Sequence, residues 1–169
     1  MNNKILIVGS CGAGKSTFAR RLSEKMNLPL IGLDQCYWQP KWVRPDSLIW
    51  REKVADLISD EAWIIEGNYQ STFDLRFPAS DIVIVFHINR WVCFWGIWQR
   101  RVLKNRADKL SGCSEKINFD LMKWVLWDHP RSGQKAIKEA LEKYNKKAIF
   151  IKSRKELKNI DEIICRIKN

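Results

Sequence analysis

The sequence has no apolar run longer than eight residues, Trp91 to Trp98, whereas a membrane-spanning helix needs roughly 20; a membrane span is therefore not expected. It has no C-x-x-C pair. Its five cysteines, at 11, 36, 93, 113 and 165, are odd in number and scattered, which argues against a disulfide framework or a Cys-based zinc site and for a reducing compartment. An export signal is also missing. After Met-Asn-Asn-Lys only Ile5 to Val8 is apolar before a glycine, short of a secretory core of about 7–15 residues, so the expected location is cytoplasmic. Acidic residues are the scarce charge: 19 Asp+Glu stand against 30 Lys+Arg, a net +11. That excess suits nucleic acid, nucleotides or phosphates as partners without choosing among them.

What is present is ordinary globular material. With 46% hydrophobic and 29% charged residues in a chain of 169, one domain with a real core is expected over 1–169. Nine tryptophans are many for this length. Trp91, Trp95 and Trp98, and again Trp124 and Trp127, fall at helical spacings, and such stripes read as core faces rather than base-stacking platforms.

Short apolar or β-branched runs predict five strands, at Lys4–Val8, Leu28–Leu33, Trp63–Ile65, Ile82–Ile88 and Ala148–Lys152. Helical patterns predict helices over Lys15–Met26, Trp91 to about Asn105, about 119–128, about 133–145 and at the end of the chain. Asp46 can cap a further helix reaching about Ser59. Trp38–Pro45 reads as an aromatic loop broken by prolines, and the polar stretch 106–118 with Ser111-Gly112 as a mobile loop. Strands alternating with helices predict an α/β domain around a mostly parallel sheet.

The chemistry is concentrated in Gly9-Ser10-Cys11-Gly12-Ala13-Gly14-Lys15-Ser16, a complete match to G-x-x-x-x-G-K-[ST] between a strand and a helix. Glycines let backbone N–H groups turn onto phosphates, and the helix N-terminus adds its positive end. Lys15 is placed to reach the β/γ oxygens and Ser16 to ligate Mg²⁺. Cys11 occupies a variable position and reads as a tolerated small side chain. A dinucleotide-binding G-x-G-x-x-G is excluded by the glycine spacing. Guanine specificity lacks its usual Asn-Lys-x-Asp, since Asn145-Lys146-Lys147 is followed by Ala148.

Glu66 follows the third strand directly. In a parallel sheet, ligands bind at the carboxyl ends of strands, so Glu66 is expected to share the crevice of the phosphate loop and to hold Mg²⁺. Asp34 ends the second strand candidate, where it could take a proton from an acceptor hydroxyl or form an Asx turn. His87, inside the fourth strand candidate, reads as a core histidine, and His129 is assigned nothing.

The phosphate loop, Leu33-Asp34 with Tyr37-Trp38-Gln39-Pro40 and Trp42, and Ile65-Glu66-Gly67-Asn68-Tyr69 with Ser71-Thr72 together resemble one bacterial family. Asp74-Leu75-Arg76, Asn89-Arg90-Trp91 and Arg100-Arg101 extend the match over nearly the whole chain. The family comprises adenylate-kinase-like P-loop proteins labelled DNA topology modulation proteins (FlaR-like). The resemblance implies a three-layer nucleoside/nucleotide-kinase-like fold, with a five-stranded parallel sheet of order 2-3-1-4-5 and a short helical lid. It also implies ATP-dependent phosphoryl transfer to an acceptor that the family leaves undefined. Gly9, Ser10, Cys11, Gly12, Ala13, Gly14, Lys15, Ser16 and Thr17 would bind ATP, with Glu66 in place of the strand-end aspartate of adenylate kinases. Arg100, Arg101 and Arg106 resemble arginines leading into a lid, and Arg131 beyond the loop is a further candidate. In this reading the acceptor side spans about 34–62 and the lid about 100–131.

Two departures from adenylate kinases stand out. Their strand-three acid is followed by Gly-Phe-Pro-Arg, whose arginine grips the acceptor phosphate; here the run is Gly67-Asn68-Tyr69-Gln70, and Arg76 is the candidate substitute. The lid region holds one cysteine, Cys113, so a four-cysteine zinc lid is absent. The expected catalytic set is therefore Lys15, Asp34, Arg100 and Arg101. The expected acceptor contacts are Asp34, Trp38, Asn68, Arg76 and Arg131, with Ser16 and Glu66 on Mg²⁺. The expected partners are ATP and a small-molecule acceptor, no membrane, with the chain a monomer or homodimer. The alternative is an ATP-switched nucleic-acid-associated protein, which the charge favours but no DNA- or RNA-binding signature supports.

Overall fold

The computed structural model describes residues 3–102, 126 and 132–168. Its centre is a sheet of β1 (Lys4–Gly9), β2 (Leu30–Gly32), β3 (Trp63–Glu66), β4 (Ile82–Phe86) and β5 (Ala148–Ile151). All pairings are parallel and the strand order is β2-β3-β1-β4-β5. This is the order expected from the family resemblance. β1, β3 and β4 are buried along almost their whole length, as a sheet covered on both faces requires.

Alternation along the strands divides the core in two. Ile5, Ile7, Ile64, Ile84 and Ile149 face one way, under α1 (Lys15–Met26) and the C-terminal helix α7 (Ile160–Lys168). Leu6, Val8, Ile65, Val83 and Val85 face the other, under α3 (Ser47–Leu57), α4 (Phe73–Ala79) and α6 (Gln134–Lys143). The result is three layers with β1 at the centre, and the loop after β1 opens at the carboxyl edge of the sheet.

Local chemistry explains the element ends. Asp46 caps α3 as expected, its carboxylate accepting from the Leu48 and Ile49 N–H groups at 2.8 and 3.4 Å. The second strand is shorter than expected. It stops at Gly32, because Leu33 turns fully into the core and opens a short helix α2 (Leu33–Tyr37). Asp34 therefore stands in the first turn of a helix and not at the end of a strand. β4 ends at Phe86, and His87 beyond it is exposed, with its backbone N–H bonded to the Ile151 carbonyl at 2.9 Å; it is no core histidine.

The tryptophan stripe of α5 (Arg90–Val102) also departs from expectation. Trp91, Trp95 and Trp98 are 60%, 52% and 43% exposed. The helix instead turns Cys93 and Gly96 inward and packs Ile97 against the core, so that the Cys93 carbonyl and the Ile97 side chain lie close against Gly12 of the phosphate loop. The expected loop at 106–118, the helix at about 119–128 and the lid residues Arg106 and Arg131 lie outside the described residues.

Candidate functional site

The phosphate loop follows β1 without a break. Gly9 has φ 126°, and a Cβ there would overlap the Phe86 carbonyl of the neighbouring strand. Gly12, at φ 78°, would likewise collide with the Cys93 carbonyl of α5. Both positions require glycine on two counts, since the backbone region is left-handed and no side chain fits. The loop then feeds α1, whose first N–H groups have no intrahelical partner and carry the positive end of the helix dipole. Cys11 is half-buried and packs on the α1-side core, in keeping with a tolerated small side chain.

Lys15 and Ser16 converge on Glu66. The Lys15 ammonium lies 3.6 Å from Glu66 Oε1 and donates to the Ser10 carbonyl at 3.1 Å. The Ser16 hydroxyl donates to Glu66 Oε2 at 3.1 Å. β3 pairs beside β1 with Glu66 opposite Ile7, which sets the carboxylate against the start of α1. Lys15 and Glu66 are both buried. A buried pair of opposite charges with a hydroxyl beside it is costly to assemble for stability alone. Asn68 ties the next segment to the loop by accepting from the Gly9 N–H at 2.9 Å.

Ser16 and Glu66 fit Mg²⁺ in donor type: a hydroxyl and a carboxylate are hard oxygen ligands, and Mg²⁺ commonly takes one or two of these beside phosphate and water. Among the described residues there is no cluster of three or more His, Cys, Asp or Glu that could hold a metal unaided.

Tyr69 joins Asp34 to a cluster of aromatic rings. Its hydroxyl donates to the Asp34 carboxylate at 2.8 Å. Burial, and then the nearby Asp34 charge, push the Tyr69 phenol well above its ordinary value, so it remains a protonated donor. Its backbone, at φ 28° and ψ 69°, lies in a region bulky side chains rarely occupy, and such strain persists only where the surroundings impose it. The ring packs against Tyr37 and Trp50 at 4.6 and 5.2 Å between centroids. Tyr37 continues to Trp38 at 5.0 Å and Trp38 to Trp42 at 5.3 Å. Of these residues, Asp34 and Trp38 are expected on the acceptor from the sequence, whereas Tyr37, Trp42 and Tyr69 enter there only as residues that carry the family resemblance. Their proximity depends on the fold bringing the turn after β3 against α2.

Arg76, expected on the acceptor, is completely buried. Its guanidinium donates to the Gly67, Asn68 and Tyr69 carbonyls at 2.9, 2.5 and 2.9 Å and to the Thr72 hydroxyl at 3.1 Å. Burial lowers its pKa to about 9, which still leaves a cation at neutral pH. So placed, Arg76 faces the carbonyls of the 67–69 turn and offers no surface to an acceptor. Arg100 and Arg101 belong to α5 by backbone.

One residue that the sequence did not flag reaches the phosphate loop. Arg154, in the connection after β5, donates to the Gly12 carbonyl at 2.8 Å and to the Val92 carbonyl at 3.3 Å. It fits because Gly96 has no side chain; a Cβ there would overlap the guanidinium and the Gly12 carbonyl.

No protein-family model matches the sequence. One curated protein, "Uncharacterized protein YqaC" of Bacillus subtilis (strain 168), is 32% identical over 84 residues, covering 44% of this chain and 47% of that protein. The match thus spans just under half of that relative. Solved structures resemble the chain over nearly all of it. A shikimate kinase from Acinetobacter baumannii, in complex with shikimate, superposes with a TM-score of 0.63 at 15% identity, covering 98% of this chain and 94% of that one. A shikimate kinase from Bacteroides thetaiotaomicron gives 0.57 at 14%, covering 99% and 98%. A gluconokinase from Sinorhizobium meliloti 1021 gives 0.57 at 14%, covering 98% and 89%. The fold is that of P-loop kinases. Among the described residues, no helix is long and apolar enough to cross a membrane.

Proposed function

We propose that this chain is an ATP- and Mg²⁺-dependent phosphotransferase that moves the γ-phosphoryl group of ATP to a hydroxyl of a small molecule. The observation that carries this reading is the convergence of Lys15 and Ser16 on buried Glu66 at the mouth of the 9–17 loop. The kinase fold of the structural neighbours supports it.

In this reading the N–H groups of Gly9 to Thr17 cradle the phosphates, and Lys15 holds the β/γ oxygens as a point charge. Ser16 and Glu66 would hold Mg²⁺, whose contribution when bound is to neutralise charge on those phosphates. Asp34, steadied by Tyr69, orients the acceptor hydroxyl and accepts its proton. The acceptor oxygen–phosphorus bond forms as the bond from phosphorus to the β,γ-bridging oxygen breaks, and ADP leaves with that oxygen. Arg100 and Arg101 are assigned to the transferring phosphoryl group, and Arg131 to the acceptor, from the family resemblance. The test is ADP release, coupled to a dye-linked assay, across nucleosides, nucleoside monophosphates, sugars and small alcohols. Turnover that survives Lys15→Ala would refute the assignment.

A second reading is favoured by one observation. Trp95 and Trp98 stack at 4.9 Å on an exposed helix face of a chain carrying +11, and exposed aromatic pairs with basic surroundings serve single-stranded nucleic acid elsewhere. It predicts binding to oligonucleotides that falls steeply between about 50 and 200 mM salt. The kinase reading explains more residues, and we prefer it.

A further inference from the structure

We propose that the side-chain amide of Asn68 is a catalytic group: its Nδ2 donates to the γ-phosphoryl group, while its Oδ1 holds the start of the phosphate loop. This rests on the phosphotransferase reading above and deepens it, assigning to the transferring group a residue that the sequence placed on the acceptor.

The sheet lacks a hydrogen bond that its register calls for. β1 and β3 run parallel with Glu66 opposite Ile7, and the Gly67 N–H donates to the Ile7 carbonyl at 3.1 Å. Evenly spaced parallel bonding would next send the Gly9 N–H to the Gly67 carbonyl. That carbonyl is turned away. The chain bends at Gly67, φ 142°, and its carbonyl accepts from Arg76 at 2.9 Å. The Asn68 and Tyr69 carbonyls go to the same guanidinium. The Gly9 N–H donates instead to Asn68 Oδ1 at 2.9 Å. A side chain thus replaces the strand's backbone at the first residue of the phosphate loop.

That bond fixes which way the amide faces. A backbone N–H only donates, so the atom that meets it is the oxygen, and the two N–H donors of Nδ2 stand beside it. No acceptor among the described residues takes them, and Asn68 is half-buried at the carboxyl edge of the sheet. Closing the ladder asks only for an oxygen; the amino group is surplus to that task.

The neighbours on either side define what these donors meet. Two residues earlier, Glu66 meets Lys15 and Ser16, the groups assigned to the β/γ-phosphates and Mg²⁺. One residue later, Tyr69 meets Asp34, the group assigned to the acceptor hydroxyl, at 2.8 Å. Asn68 stands between the two, on the path of the γ-phosphoryl group. Charge spreads over the equatorial oxygens of that group during transfer, and fixed donors aimed at it lower the barrier. A neutral amide can do this without being drawn into an ion pair by Glu66 or Asp34.

Calorimetry at fixed Mg²⁺ with ATP, with ADP, and with ADP plus beryllium fluoride as a mimic of the bound γ-phosphoryl group separates the two roles of the amide. Asn68→Asp keeps the oxygen for Gly9 and loses the donors. It should hold ADP affinity within about threefold and lower the ATP-to-ADP affinity ratio about tenfold or more, as expected for a hydrogen bond to a charged group. Asn68→Ala adds no charge; it should weaken ADP about tenfold through Gly9 and lower the ratio about tenfold as well. ADP with beryllium fluoride should follow ATP in both. A parental ratio in both variants overturns the proposal, whether the nucleotides bind normally or weaken equally. So does a ratio that falls in Asn68→Asp alone, which marks charge repulsion in place of a lost donor. Circular dichroism checks folding, and Asn68→Ser replaces Asn68→Ala should the latter fold poorly; if Asn68→Asp does not fold, the uncharged variant decides. Failure of the unsubstituted protein to bind ATP or ADP overturns the phosphotransferase reading and this proposal with it.

Discussion

Arg154 and Gly12 are 142 residues apart in sequence, yet the guanidinium donates to the Gly12 carbonyl at 2.8 Å. A carbonyl held on the outer side of a phosphate loop fixes the peptide plane behind it, and so the direction in which the next N–H points. The same nitrogen reaches Val92 of α5, so one side chain joins the connection after β5, the phosphate loop and the helix that carries Arg100 and Arg101.

Arg154→Ala should therefore weaken ATP binding about 10- to 100-fold, the range expected for losing hydrogen bonds from a charged donor. Arg154→Lys, which keeps the charge but not the planar fork, should fall between. Gly96→Ala should mimic the loss from the other side, since its methyl would take the guanidinium's place. Calorimetry with ATP, beside unchanged circular dichroism, checks all three. Parental affinity in Arg154→Ala would remove the residue from the site.

The Lys15–Glu66–Ser16 group calls for two separable measurements. Lys15→Ala should abolish transfer and weaken ATP binding, because the β/γ-phosphate charge loses its partner. Glu66→Gln keeps the shape and an acceptor for Ser16 but removes the charge. It should raise the Mg²⁺ concentration for half-maximal activity about tenfold or more, with a smaller effect on the ATP affinity. A Mg²⁺ titration that overlays the parent would show that Glu66 is only a partner for Lys15.

Much of this was legible in the sequence for a physical reason. The phosphate loop is local: its glycines, lysine and serine do their work within nine residues, and strand and helix patterns on either side frame it. Buried parallel strands announce themselves as apolar runs, so five strands were found close to their observed bounds. The expected acceptor side is not local. Tyr69 meets Asp34 across 35 positions, and Arg154 meets Gly12 across a far longer span; spacing cannot foretell either. A lone arginine near a site invites a role on the ligand, and the sequence cannot show that the fold gives Arg76 three backbone carbonyls to satisfy. The α5 tryptophans were misjudged because periodicity shows that a helix has an aromatic face but not which way that face turns.

In the proposed phosphotransferase, Asp34 is the residue that separates transfer from mere ATP binding. Asp34→Asn should leave ATP affinity nearly intact and cut transfer about 10²-fold or more, since an amide can orient a hydroxyl but cannot accept its proton. Tyr69→Phe removes the donor that steadies the carboxylate and should cost less, about tenfold in kcat/KM. Because burial and Asp34 keep the Tyr69 phenol protonated well beyond its ordinary value, no alkaline limb of the rate profile should vanish in Tyr69→Phe. Parental transfer in Asp34→Asn would exclude it from the chemistry.

Arg76 provides the sharpest contrast between a scaffold and a ligand contact. Replacing it by Met keeps much of the apolar stem but leaves the Gly67, Asn68 and Tyr69 carbonyls without their donors. A buried acceptor left unsatisfied costs about 1–3 kcal/mol, and losing the whole set should destabilise the fold by about 3–5 kcal/mol. In a chain of this size that lowers the melting temperature by roughly 10 °C or more. Tyr69, whose strained backbone is held in part by this guanidinium, should then shift. At a temperature where the variant is still folded, the acceptor KM should rise while ATP affinity holds. Arg76→Lys should rescue little, because one ammonium cannot reach three carbonyls and a hydroxyl from a single point. A variant that melts like the parent yet loses acceptor binding would mean that Arg76 turns out of its carbonyl cage to grip the acceptor directly.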